Sequence, residues 1–310
     1  MRIPRKLLPL ATVLVSVLAL TGPAEAFCRL TTGCGDAAGN VGDNCFQPVD
    51  ECSAEPLAWR EGCVSFSVEA HGSALRDITY EHGVTAVQAA FDTWLEPICD
   101  GERPGLQVQD LGPSECGKFE YNKAGSRFGN TNTIFFADDG PPKCGAQMST
   151  SDTIGDTCTS HEKTTGAIYD SDIALNSHDF SLTSSDSDLK SVLLHEVGHF
   201  LGLAHVSDSG DVMFWQYTGQ VSLSDDDKRA MCAIYPPHRP GSGTCDDLPR
   251  HGFSPECADA QPELTCAASP LVARPGASAA LLLVMLTAFL LRSTMHVKKP
   301  SVFGKGQIML

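Results

Sequence analysis

The stretch SVLLHEVGHFLGLAH, residues 191–205, decides how the rest of the chain is interpreted. It contains the pattern H-E-x-x-H-x-x-G-x-x-H, whose defined positions are His195, Glu196, His199, Gly202 and His205. Residues four apart lie on one face of an α-helix, so His195 and His199 present two imidazoles at the spacing that one metal ion needs. Gly202 can adopt a positive φ angle that ends the helix, and His205 can then turn back toward the same ion.

This pattern predicts a catalytic site with one Zn2+ per chain. Three neutral imidazoles leave a fourth position open for water, as catalytic rather than structural zinc sites do. Zinc lowers the pKa of its bound water from about 15.7 to about 7. Glu196 directly follows the first histidine, so we expect it to act as general base toward that water and then as general acid toward the leaving amine.

The same stretch also has a purely structural interpretation, an amphipathic helix with incidental histidines. Its apolar stripe consists of Leu189, Val192, Leu193, Val197, Phe200 and Leu201. Such a stripe is typical of a helix that packs against a core. The two interpretations are compatible, because the stripe can pack the helix while the histidines face a cleft. The number of defined positions favours the metal site.

The residues that follow the helix resemble the metzincin metallopeptidases, and the matrixin branch in particular. Met213 lies eight residues after His205, as the methionine of the Met-turn does in matrixins. MFWQY, residues 213–217, is similar to the matrixin M-x-P-x-Y, with Trp215 in place of proline. LSDDDKRAMCAIYP, residues 223–236, is similar to the closing helix of that family. The resemblance covers about residues 56–237.

The resemblance implies an α+β fold. The metzincin-like catalytic domain would have a mixed, twisted β-sheet, an active-site helix, and a small C-terminal subdomain with the Met-turn and a final helix. Met213 would pack beneath the metal without binding it. Tyr217 could line the substrate pocket, although a core tyrosine is the alternative. A strand formed by Gly145, Ala146, Gln147, Met148 and Ser149 would be the edge strand to which an extended peptide adds.

The resemblance further implies a zinc endopeptidase that hydrolyses peptide bonds in proteins or peptides. The alternative is a surface binding protein on a metzincin scaffold that has lost its activity. The presence of Glu196 disfavours that alternative, because metal binding alone does not need this carboxylate.

Composition narrows the partners and the compartment. The 310 residues contain 22 Lys+Arg against 38 Asp+Glu, a formal charge of −16, which disfavours nucleic acid and anionic membrane surfaces as ligands. Thirteen cysteines indicate an oxidising compartment, and their odd number leaves one thiol free, cross-linked or modified. We expect a monomer.

The ends of the chain predict export and attachment. Residues 1–26 resemble a secretory signal peptide, with basic residues, an apolar run and Ala24-Glu25-Ala26 as cleavage site. Residues 27–55 form a short Cys-rich segment for which two disulfides are expected. Residues 238–270 are a tether rich in Pro, Gly and Cys. Residues 271–292 would be a transmembrane or bacterial-type sorting helix, and a buried core helix is the alternative. Residues 293–310 would be a basic tail, which favours a cytoplasmic C-terminus. We therefore expect a secreted, cell-surface protein.

Within the domain at residues 56–237, periodicity predicts the regular elements. Strands are expected within 59–68 and at 106–108, 133–137, 145–149 and 167–175, and helices at 82–95 and from about 184–188 onward. The acidic, hydroxyl-rich residues 184–188 suit the start of the active-site helix. Ser224 is expected to cap the final helix.

The cysteines and acidic residues of the domain leave several assignments open. PPKCG, residues 141–145, superficially resembles the matrixin cysteine switch, but a disulfide between Cys144 and Cys158 is the better interpretation and would contribute about 3 kcal/mol. Cys99 and Cys116 could close a loop in the same way, although spacing does not determine pairing. Ca2+ is left without an assigned site. Four carboxylates could offer ligands to it, those of Asp152, Asp156, Asp170 and Asp172. His161 and His178 are interpreted as solvated loop histidines rather than ligands of a second zinc.

Overall fold

The computed structural model describes residues 27–32, 55–141, 144, 152–183, 187–242 and 247–258. The predicted signal peptide at 1–26, the strand at 145–149, the apolar span at 271–292 and the tail at 293–310 lie outside these residues. Within the described ranges, no helix has the length and apolar character needed to cross a membrane.

The fold is α+β, as predicted. The described residues form eight strands and three helices. In chain order they are β1 Cys28–Arg29, β2 Ala58–Trp59, β3 Cys63–Glu69, α1 Tyr80–Leu95, β4 Gln107–Ser114, β5 Thr133–Phe136, β6 Gly155–His161, β7 Ala167–Leu175, α2 Ser187–Phe200, β8 Leu203–Ala204 and α3 Asp225–Ile234.

The main sheet of the domain is mixed and has six strands among the described residues. Its strands follow the order β2-β7-β5-β3-β4, and all of these neighbours are parallel. Strand β6 pairs antiparallel with β7 over its whole length, with Thr157 opposite Ile173. No described strand pairs with the other edge of β6, so this edge of the sheet is open in the described part of the chain.

Both long helices pack on one face of the sheet. The ring of Phe66 on β3 stacks on Phe91 of α1 at 5.0 Å, and Phe91 meets Phe200 of α2 edge-on at 5.1 Å. The apolar stripe predicted for α2 is confirmed, since each of its six side chains is at most 2% exposed. Full burial of such a side chain stabilises the fold by about 1.5–3 kcal/mol. The stripe thereby sets which face of α2 is left for the histidines.

Three aromatic side chains fix the last turns of α2 through their polar ends. Trp59 Nε1 donates to the carbonyl oxygen of Phe200, and Tyr235 Oη donates to that of Leu201, both at 2.8 Å. Trp94 Nε1 on α1 donates to the carbonyl oxygen of Leu194, also at 2.8 Å. The carbonyls of Phe200 and Leu201 lie where a helix has no partners of its own. These bonds therefore hold the end of α2 against both β2 and the end of α3.

The predicted disulfide Cys144–Cys158 is confirmed, with a Cα–Cα distance of 5.4 Å. The suggested pairing of Cys99 with Cys116 is wrong, because Cys99 bonds to Cys232 of α3 and Cys116 bonds to Cys257. Strand β4 separates Cys99 from Cys116, and a strand of eight residues spans about 26 Å, far beyond the reach of a disulfide. Cys28 and Cys63 are disulfide-bonded as well.

Most predicted elements are confirmed, with three differences. Helix α1 begins at Tyr80, two residues before the expected start, because Thr79 caps it by accepting a hydrogen bond from the His82 amide. The strand expected at 106–108 is longer, Gln107–Ser114, and mostly polar because it lies at the edge of the sheet. Strand β6 was missed, since its sequence GDTCTSH lacks apolar alternation.

Candidate active site

Helix α2 and the turn that follows it bring together the residues singled out from the sequence. His195 and Glu196 are 0% and 1% exposed. The helix ends at Phe200, and Gly202 has a φ of +93°, as predicted. The chain then passes through β8 to His205. Strand β1 pairs with β8, and the Leu30 amide donates to the Gly202 carbonyl at 3.0 Å, so the N-terminal segment holds the turn that delivers His205.

The three imidazoles converge on one point. Their Nε2 atoms form a triangle whose sides are all 3.1 Å, joining His195, His199 and His205. Among the described residues, this is the group of histidines that could hold a metal ion.

Backbone carbonyls determine the tautomers of two of these rings. His195 Nδ1 donates to the carbonyl oxygen of Val212 at 2.7 Å, and His199 Nδ1 donates to that of Leu203 at 2.8 Å. A carbonyl oxygen only accepts, so in each neutral ring the proton is on Nδ1 and the lone pair is on Nε2. Two lone pairs therefore lie 3.1 Å apart and repel each other unless a proton donor or a cation lies close to both.

The electrostatics of the rings agree with this tautomer assignment. Burial lowers the pKa of His199 to about 4, and it lowers those of His195 and His205 well below the usual histidine value. The His199 ring further lowers the pKa of His195, and the rings of His199 and His195 further lower that of His205. The triad is consequently neutral at pH 7, which is the form that binds metal ions.

The size of the triangle suits zinc. Three atoms 3.1 Å apart lie about 1.8 Å from their common centre, slightly less than the zinc–imidazole distance of about 2.0–2.1 Å. An ion at that distance would meet all three nitrogens from one side. Three nitrogen donors with the other side open are the donor set of a catalytic zinc site.

The carboxyl group of Glu196 lies between α2 and β6. Its Oε2 accepts a hydrogen bond of 2.6 Å from Thr157 Oγ1, whereas Oε1 is buried and has no hydrogen-bond partner among the described residues. Burial raises the pKa of Glu196 to about 8, the charge of Asp156 acts in the same direction, and the Thr157 bond acts against both.

Met213 packs against α2 at Gly198, the residue before His199. A Cβ atom added at Gly198, between His195 and His199 on the helix, would clash with Met213 Sδ. The Val206 amide donates to the Met213 carbonyl at 2.9 Å, which ties the segment after His205 to this turn. The methionine thus supports, through packing, the part of α2 that bears His195 and His199.

Final helix α3 supports the same turn. Ser224 caps α3 as predicted, in a capping box with Asp227. Asp227 Oδ2 also accepts from the Val212 amide at 2.9 Å. Since the Val212 carbonyl accepts from His195, a chain of hydrogen bonds runs from α3 through Val212 to the imidazole. Tyr217 is half-buried and packs against the core beyond this turn.

The matrixin family profile matches residues 130–236, which include the helix, the Met213 turn and α3. This part of the chain is a matrixin-like metzincin domain. A 54-residue stretch is 48% identical to an interstitial collagenase of Sus scrofa and 50% identical to that of Bos taurus, covering 17% of this chain and 12% of each relative. A 48-residue stretch is 50% identical to the interstitial collagenase of Equus caballus, covering 15% of this chain and 10% of the relative.

Matrixin domains are in general zinc metallopeptidases, and the triad of the matrixin-like domain is able to bind a metal. The chain spans only a small part of the length of the collagenases that it matches, 12% of the first two. What those whole proteins act on is therefore not transferred to this chain by similarity alone.

Several residues of the matrixin-like site were missed by sequence reasoning. Two of them, Gly155 and Thr157 of β6, contact Glu196. The Val212 carbonyl accepts from His195, and Asp227 accepts from the Val212 amide. The expected edge strand at 145–149 lies outside the described residues. The edge strand beside α2 is β6. Its threonines were the available signal, since threonine favours strands even where apolar alternation is absent.

The remaining metal candidates do not form a second site among the described residues. The carboxylate oxygens of Asp152, Asp156, Asp170 and Asp172 do not converge as a group in that part of the chain. Asp172 instead accepts from the Thr133 and Glu120 amides, at 2.8 and 2.9 Å. His178 is exposed and contacts Asp179, as expected of a loop histidine, whereas His161 ends strand β6 rather than lying in a loop. Cys144 is disulfide-bonded, which argues against a cysteine-switch thiolate there.

Proposed function

We propose that this chain is a zinc-dependent endopeptidase that hydrolyses peptide bonds in extended protein or peptide substrates. The observation that carries the proposal is the triangle of Nε2 atoms 3.1 Å apart, with the tautomers of His195 and His199 set by carbonyl acceptors. In this proposal His195, His199 and His205 are the protein ligands of one Zn2+.

A zinc ion held by the triad supplies a bound water of lowered pKa and polarises the scissile carbonyl. Glu196 accepts the proton of the attacking water and passes it to the leaving amine. Oε1 suits this step, because it is the carboxylate oxygen without a partner among the described residues. A dication beside Glu196 favours the ionised carboxylate and so opposes the effect of burial, the largest cause of its raised pKa of about 8.

Strand β6 is the proposed docking edge for the substrate. It lies beside α2, antiparallel to β7, and its outer backbone groups pair with no described strand. An extended peptide can add to such an edge as one further strand. The edge strand expected from the sequence at 145–149 lies outside the described residues, and Gly155–His161 is the described edge strand that contacts Glu196.

The supporting residues and surroundings are part of the same proposal. Met213 packs under the ligands, and Tyr217 lines the substrate pocket. The catalytic domain covers residues 56–237, preceded by the Cys-rich segment at 27–55. Matrixin relatives are generally secreted or extracellular, which supports export of this chain by its N-terminal 26 residues and, with the C-terminal segment as anchor, a place at the cell surface.

A chelator-sensitive casein digest tests the proposal. Purified protein should cleave casein, lose activity with a zinc chelator, and regain it when zinc is returned. Glu196→Ala should bind zinc yet cleave nothing, because the ligands remain while the proton acceptor is gone. Wild-type protein that holds zinc but cuts neither casein nor any member of a diverse peptide library would instead support the inactive binding protein.

A further inference from the structure

Gly155 and Thr157 of β6 meet α2 from the same side. They are two residues apart on a strand, so their inner faces point in one direction. Thr157 lies opposite Ile173, which is 0% exposed and faces the helices. The two residues therefore lie over the cleft face of α2, where Glu196 is located.

Thr157 and Gly155 contact different oxygens of the Glu196 carboxylate. Thr157 Oγ1 is 2.6 Å from Oε2 and 3.3 Å from the Glu196 backbone oxygen, and a hydroxyl has a single proton, so the shorter contact to the carboxylate is the main bond. Oε1 lies against Gly155, where an added Cβ would come within 2.5 Å of it. Only glycine leaves that oxygen its present position.

We propose that Thr157 and Gly155 are positioning residues for Glu196, an inference that rests on the proposed peptidase function. Thr157 engages Oε2 and holds the carboxylate in one rotamer. Gly155 leaves room for Oε1, which then receives the proton of the attacking water. In the proposed function the substrate adds to the outer edge of β6. The backbone of β6 would then align the peptide, while Gly155 and Thr157 of the same strand position Glu196, the proton acceptor.

Kinetics of three variants test the role of the hydroxyl. Thr157→Val keeps the shape of the side chain but removes the donor, and should lower kcat about tenfold or more, the effect of losing one hydrogen bond to a charged group. KM should change less than about twofold, since substrate contacts the backbone of β6. Thr157→Ser should restore most of kcat. Thr159→Val is the matched control, because Thr159 Oγ1 contacts Ser171 Oγ at 3.0 Å rather than Glu196.

A second measurement needs no catalysis. In zinc-free protein, the urea midpoint should fall on Thr157→Val, but much less when Glu196 is already alanine, because the bond then has no acceptor. Equal shifts in both backgrounds would show that the contact does not exist and overturn the inference. Gly155→Ala should retain zinc content and lose kcat. Retained kcat in Gly155→Ala would contradict the space argument.

The outcomes separate the two proposals. A wild-type protein that cleaves no peptide overturns the peptidase function and this inference together. A wild-type protein that cleaves a quenched fluorescent peptide, with Thr157→Val as fast as Thr159→Val, overturns this inference alone. Equal losses in kcat for Thr157→Val and Thr157→Ser would also contradict it, because serine retains the donor.

Discussion

Replacing Asp227 by alanine should weaken the zinc site although this side chain touches none of the histidines. Asp227 is 3% exposed, and its Oδ2 accepts from the amides of Val212 and Ser224, both at 2.9 Å. The Val212 carbonyl in turn accepts from His195 Nδ1. Removing the carboxylate should therefore loosen Val212 and, with it, the orientation of the His195 ring.

The magnitude follows from the lost bonds. A buried Val212 amide without its acceptor costs about 1–3 kcal/mol, and loss of the capping box costs about 1 kcal/mol. We expect Asp227→Ala to lower the free energy of unfolding by about 2–4 kcal/mol. Loss of a partner that orients a metal-binding histidine typically weakens metal affinity about 10–100-fold, and the same range is expected here.

Urea denaturation of zinc-free protein measures the first effect, and competition with a fluorescent zinc chelator measures the second. Asp225→Ala is the matched control in the same turn of α3, because its side chain is 87% exposed and pairs with Lys228 at the surface. That control should change stability by no more than about 0.5 kcal/mol. If Asp227→Ala behaved like Asp225→Ala in both assays, the proposed link from α3 to His195 would be refuted.

Three further predictions concern the turn, the N-terminal strand and pH. Gly202→Ala should lower the free energy of unfolding by about 1–3 kcal/mol, since φ is +93° and the new Cβ would lie 2.6 Å from the Leu57 carbonyl oxygen; an unchanged urea midpoint would contradict this. Leu30→Pro removes the amide that donates to the Gly202 carbonyl and should weaken zinc binding in chelator competition, whereas Leu30→Val should not. In zinc-free protein the folded state keeps a proton on Glu196 that the unfolded chain releases, because the pKa of Glu196 in the folded state is about 8. Between pH 7 and 8 the free energy of unfolding of the wild type should therefore fall by about 1 kcal/mol more than that of Glu196→Gln. Equal decreases for the two proteins in urea denaturation would count against this.

The local pattern of the sequence was sufficient for the centre of the site. Helical period places His195 and His199 on one face, and Gly202 ends the helix with the positive φ that was expected. The apolar stripe of α2 likewise predicted which side is buried. These features depend on residues within one or two turns of each other, and spacing along the chain reports such relations directly.

The partners of the site could not be predicted, because they come from distant parts of the chain. Thr157 is 39 residues from Glu196, and Cys99 bonds to a cysteine 133 residues away. Strand β6 was missed because its inner face carries Gly155 and two threonines instead of apolar residues. That departure from alternation lies where the strand borders the Glu196 carboxylate rather than a hydrophobic core, so the failure of the pattern coincides with the proposed active site.

In the proposed site, three imidazoles hold one zinc ion and leave one coordination position open for water. Zinc K-edge X-ray absorption of protein purified without chelators tests it most directly. We expect one zinc per chain with three imidazole nitrogens and one oxygen at about 2.0–2.1 Å. Sulfur ligands at about 2.3 Å, four protein nitrogens, or zinc retained in a His199→Ala/His205→Ala double variant would contradict it.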